Sequence, residues 1–118
     1  MYQGGMKVEL TRFKVKKGKE ERVKVWMELL NSRMNEVLET LEGEQMYIEN
    51  IFEEIDGDTM YLYWFFIQGE GGIEFRESNH EIDGLHIQFW KEFIDETYKG
   101  VDMTSLVTMI PKRVIQSF

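Results

Sequence analysis

At 118 residues and 42% hydrophobic, the chain is long enough for one compact domain spanning residues 1–118, and too apolar for a disordered tail. A formal net charge of −8 argues against nucleic acid and anionic membranes as partners. The absence of cysteine excludes disulfides, thiolate nucleophiles and Cys-ligated metals, and suits a reducing, cytoplasmic setting.

The start, "MYQGGMKVEL", lacks the apolar core of a secretory signal. Residues 6–15, "MKVELTRFKV", alternate, with Val8 and Leu10 on one face and Thr11 and Phe13 on the other, which predicts a strand. "KVKKGK" reads as a solvated turn. Glu20 and Glu21 then fall in the first turn of a helix, where the helix dipole favours acids. Apolar residues at Val23, Trp26, Met27, Leu30, Met34, Val37, Leu38 and Leu41 predict one helix over 18–41, closed by Gly43.

Asp56-Gly57 lies between two strand-like runs, a strong hairpin signal. A two-residue loop there pairs Ile55 with Asp58 and sets Asn50 opposite Tyr63. Ile51, Met60, Leu62, Trp64 and Phe66 then share a face with Glu49 and Glu53. The run "YLYWFFI", residues 61–67, is far too short to cross a membrane and reads as a buried strand. "QGEGGIEFRE" follows as a loop. A second helix is expected from Ser78 or Asp83, one of them its cap, to about residues 99–100. Residues 106–115, "LVTMIPKRVI", predict a last strand, placed at an edge because Pro111 has no amide to donate.

The order β-α-β-β-α-β is the ferredoxin-like arrangement: a four-stranded antiparallel sheet, α+β, with two helices on one face. It makes residues 61–67 a central strand. Both hairpin faces are apolar, so the face without helices is expected to meet a second copy, giving a homodimer that closes a barrel.

"SNHEIDGLHIQFW", residues 78–90, holds both histidines, His80 and His86. Six residues apart, they are rotated by about 600° on one helix and do not share a face; they converge only if His80 precedes the helix. Asp83 and His86 do share a face. A carboxylate there fixes the imidazole tautomer and raises its pKa, as a general base requires. The bland alternative is a capped helix with a packed histidine. Arg12, Asn50, Tyr63, Glu49 and Trp64 are the candidate ligand-binding residues, polar or amphipathic groups on strands that otherwise read as buried. For the glutamates, pairing with Arg12 is the structural alternative. HExxH and other metal-ligand spacings are absent, so no metal and no cofactor are expected.

The stretches "VELTRFKVKKGKEERV" and "SNHEIDGLHIQFW" resemble the dimeric α/β-barrel superfamily typified by antibiotic biosynthesis monooxygenases. The pattern Ser-x-His-x-Ile-Asp-x-x-His-x-x-Phe-Trp, met by Ser78, His80, Ile82, Asp83, His86, Phe89 and Trp90, is similar to that of a group of small bacterial proteins of unknown function. The histidine spacing is one residue longer than the common monooxygenase pattern. The first strand lacks the asparagine of the haem-degrading members. The superfamily includes cofactor-free oxygenases and isomerases, which makes a cofactor-free enzyme, monooxygenase- or isomerase-like, on a small aromatic or apolar substrate the expectation; the group with the nearest motif carries over no activity, and the catalytic candidates His86, Asp83 and His80 rest on their own chemistry. A non-catalytic ligand-binding homodimer is the alternative.

Overall fold

A computed structural model describes residues 6–70 and 80–118. Four strands, β1 (Lys7–Lys14), β2 (Met46–Asp56), β3 (Thr59–Gln68) and β4 (Val101–Asp102), form one antiparallel sheet in the order β2-β3-β1-β4. Helices α1 (Glu20–Ser32), α2 (Met34–Gly43) and α3 (Glu81–Phe93) pack on one face, and a short α4 (Lys112–Ile115) ends the chain. This is a ferredoxin-like fold, with the strand over residues 61–67 central as the sequence predicts. Among the described residues no helix is long and apolar enough to cross a membrane.

Strand alternation selects the core. Val15, Met60 and Leu62 point to the helices and are buried with Val23 and Trp26 of α1 and with Phe93 and Ile94. The opposite alternation places Leu10, Arg12, Phe52, Tyr63 and Phe65 on the outer face. The hairpin register is Ile55 to Met60 and Asp56 to Thr59, so the two-residue loop is Gly57-Asp58 rather than Asp56-Gly57. The pairings move by two residues: Asn50 meets Phe65, and Phe52 meets Tyr63. A shift of two keeps every side chain on its predicted face, because strand side chains repeat with period two. Gly57 takes φ +65°, open to glycine and strained for other residues, and nothing crowds its missing Cβ. Gly57→Ala should therefore lower stability by about 1 kcal/mol through backbone strain alone, read as a shifted urea midpoint with unchanged slope.

Three elements differ from expectation. The single helix over 18–41 is broken at Arg33 (φ −114°, ψ 34°). Asn31 and Ser32 donate side-chain hydrogen bonds back to the carbonyls of Met27 and Leu29, which competes with helix continuation. Arg33 is also drawn into ion pairs with Glu36 and Glu81. Gly43 is the last residue of α2, and it is Gln45 that turns the chain, at φ +55°.

The second helix stops at Phe93, because Ile94 is extended and bridges to Val15. The Asp95 amide donates to the Lys14 carbonyl, pinning the exit to β1. The cap position of α3 is His80, with no side-chain capping bond. Asp83 sits inside the first turn and is not the cap, and Ser78 lies outside the described residues.

The last strand is not residues 106–115 but Val101–Asp102, paired with Thr11 and Arg12. Beyond Met103, whose amide donates to the Leu10 carbonyl, the chain leaves the ladder, and Leu106 is 92% exposed. Pro111, lacking an amide and held at φ −57°, precedes α4 instead of interrupting a strand. At the far edge Phe118 stacks on Tyr47, ring centroids 4.3 Å apart.

Candidate functional site

Between the helix layer and the inner face of the sheet lies a cavity of about 1050 Å³. Three parts of the sequence build its walls. The β-strand alternation that buries Leu62 also turns Glu49, Ile51, Trp64 and Phe66 toward the helices. Met34, Val37, Leu38 and Leu41 of α2 supply an apolar side, which accounts for Met34 and Leu38 remaining exposed apolar side chains. The inward stripe of α3 contributes Ile82, Asp83, His86 and Trp90 at helical spacing.

His86 is set between indoles, its ring 4.8 Å from that of Trp26 and 5.1 Å from that of Trp64, both edge-on. Removal from water disfavours the charged imidazolium, so its pKa is pushed down to about 4. This overturns the expectation that Asp83 raises it: His86 is neutral at physiological pH. A neutral imidazole offers one donor and one acceptor, which suits orienting or polarising an oxygen more than carrying a charge.

Five acidic residues line the cavity, and three of them, Glu44, Glu49 and Asp83, act on one another's charge. Glu49 accepts a hydrogen bond from the Trp64 indole N–H, yet burial, helped by the charge of Asp83, raises its pKa above the ordinary carboxylate value. Glu44, just beyond α2, is buried. Desolvation first, then the charges of Glu49 and Asp83, push its pKa up to about 7. Asp83 is 8% exposed, and its Oδ2 has no hydrogen-bond partner among the described residues. A group that titrates near neutrality inside a cavity is a marker of proton-transfer sites. Sequence reasoning missed Glu44. It is one of 22 acidic residues, and its only distinction in sequence is following Gly43 at a helix end.

The other sequence candidates separate by face. Glu49 and Trp64 line the cavity with His86 and Asp83. Asn50 touches the cavity, although its place in the β2 alternation is with the outer face. His80 is exposed at the start of α3 and is not among the lining residues, so the two histidines do not converge there.

Arg12 and Tyr63 lie on the outer face. The Arg12 guanidinium rests 3.6 Å from the Tyr61 ring centroid and pairs with Glu54 at 3.3 Å, and the Tyr63 hydroxyl donates to the same carboxylate at 2.8 Å. That is the glutamate–arginine pairing of the structural alternative, made with Glu54. Among the described residues no group of three or more His, Asp or Glu could hold a metal ion.

Among solved structures, the chain is similar to an L-rhamnose mutarotase from Formosa agariphila, with a TM-score of 0.52 and 15% identity over 88% of this chain and 99% of that one. At that identity the likeness establishes the fold. No curated protein matches the chain. A family model covers residues 6–116, nearly the whole length, and the chain therefore belongs to that family, the family of unknown function DUF6176.

Proposed function

We propose that the protein is a small isomerase that works by proton transfer without a cofactor, on a ligand with one apolar and one hydroxylated face. The observation that carries this reading is the Glu44 carboxyl, poised near pH 7 in the same cavity as a neutral imidazole. Interconversion of sugar anomers, the activity named for the structural neighbour, is chemistry of this class. A base takes the proton of the anomeric hydroxyl while an acid protonates the ring oxygen. The ring C–O bond breaks to an open-chain aldehyde, and rotation and reclosure reverse both transfers. A carboxyl that is half-protonated at neutral pH serves in both directions, and His86 supplies a neutral donor or acceptor to the same oxygens. The indoles and the α2 side chains face the apolar side of such a ring. A monooxygenase-like reaction on an aromatic substrate would use the same apolar wall but leaves the carboxyl groups without a task.

The test is anomer exchange by NMR, across a panel of reducing sugars that includes L-rhamnose. Acceleration that disappears in Glu44→Gln supports the reading. No acceleration with any sugar in the panel contradicts it.

We further propose that the outer face meets a second copy of the chain. Phe52 is 52% exposed there, and with Leu10, Tyr63 and Phe65 it lines a wholly apolar hollow. Light scattering should give twice the 14.1 kDa of one chain at micromolar concentration, and Phe52→Lys should halve that mass. A monomer before substitution would count against the dimer.

A further inference from the structure

We propose that the ligand of this cavity is a cation: a small ring-bearing ammonium compound, with its nitrogen against Asp83 and Glu49 and its ring on the Trp64 and Trp90 indoles. Taken together with the isomerase reading, on which this narrowing of substrate class rests, the substrate is an amine-bearing hydroxylated ring.

Asp83 is more than nine-tenths buried, it lines the cavity, and its Oδ2 finds no donor among the described residues. A buried carboxylate oxygen is rarely left in that state, because it has lost water and gained nothing. Glu49 accepts a hydrogen bond from Trp64, the one donor to it among the described residues. The cations that line the cavity do not compensate these acids: Lys7 pairs with Glu9 at 3.4 Å, and Lys91 is an exposed residue of α3. Burial first, and then the charge of the neighbouring acids, holds Glu44 and Glu49 toward their protonated forms.

Each class of ligand meets these groups differently. An anion is repelled. A purely apolar molecule would leave Asp83 buried and return no hydrogen bond to it. A neutral polyol can donate to Asp83 but leaves the accumulated charge in place. A metal ion is too small for this arrangement, since no three acids or histidines converge at ligand distance among the described residues. An organic cation donates to Asp83, offsets the charge and is attracted to the indole faces. The net charge of −8 draws it toward the protein.

Three probes of one shape decide the matter: cyclohexylammonium, cyclohexanol and cyclohexanecarboxylate, titrated at pH 8 and low salt, with tryptophan fluorescence and calorimetry as readouts. The ammonium ion should bind at least about tenfold more tightly than the alcohol, the ratio expected of one charge-dependent contact of ordinary size. The carboxylate should bind more weakly than either. Asp83→Asn and Glu49→Gln should each erase most of the preference for the cation while changing affinity for the alcohol less than about twofold, with circular dichroism confirming the fold. Equal or tighter binding of the alcohol by the unsubstituted protein overturns the proposal, whatever the variants do.

This outcome is separable from that of the isomerase reading. Cation preference without anomer exchange of any sugar, amino sugars included, keeps the charged-ligand site and removes the reaction. Exchange of neutral sugars without cation preference does the reverse.

Discussion

Replacing Glu44 with glutamine should slow the proposed isomerisation by about 10²- to 10⁴-fold, the range for loss of a positioned acid–base group, and at the same time make the protein more stable above neutral pH. The second effect follows from the sign of the shift. The folded value of about 7 lies above the ordinary carboxylate value of 4.5. Between those values the folded chain holds a proton that the unfolded chain has released, so stability falls as pH rises from about 4.5 to about 7. Above 7 the full penalty is in place, at most about 3 kcal/mol for the whole shift and less where water reaches the ionised group. Glutamine escapes it. Urea unfolding should show a gain for Glu44→Gln at pH 8 and little change at pH 4.5. Unchanged activity together with lower stability at both pH values would make Glu44 a structural residue. Opposite movement of activity and stability is expected of a group that is retained for chemistry at the expense of the fold.

Trp26→Ala should have the largest effect on the fold itself. The side chain is fully buried, and its ring meets those of Trp64, His86, Phe89 and Phe93 at centroid distances of 4.8–6.4 Å. Truncation of such a residue costs about 3–5 kcal/mol, a large share of the roughly 5–15 kcal/mol that holds a domain of this size. The melting temperature should fall by about 10 °C or more. Trp26→Phe should cost much less, because the indole N–H has no hydrogen-bond partner among the described residues to lose. The two substitutions also report on the site. Trp26 is one of the walls that keep water from His86, so opening it with alanine should let the imidazole pKa climb from about 4 toward its ordinary value, whereas phenylalanine should hold it low. A small stability loss for Trp26→Ala would place the core elsewhere.

The parts of this molecule that were legible in sequence are those fixed by period. Alternation in residues 61–67 and helical spacing around Trp26 and Phe89 determine which side chains turn inward, and the face that carries Trp64 and Glu49 follows even though the hairpin register is displaced by two. What sequence did not show depends on neighbours distant along the chain. Residues 106–115 have strand composition, but a strand needs a partner, and the chain leaves β1 after Met103. The break at Arg33 depends on side chains turning back onto carbonyls and on an ion pair with Glu81, 48 positions away.

The site divides in the same way. Asp83 and His86 share a helix face by spacing alone. The protonation of His86 reverses expectation, because its surroundings are supplied by α1 and β3, while Glu44 meets the charges of Glu49 and Asp83 only in the folded chain.

The central claim is that this cavity holds a carboxyl ready to exchange a proton at neutral pH. Its most direct test needs no substrate: a titration of the glutamate side-chain carboxyl carbons by ¹³C NMR, with the Glu44 signal assigned by its loss in Glu44→Gln. The expected midpoint for Glu44 is about 7, with His86 in the same sample remaining neutral down to about pH 4. A Glu44 midpoint near the ordinary 4.5 would contradict the claim.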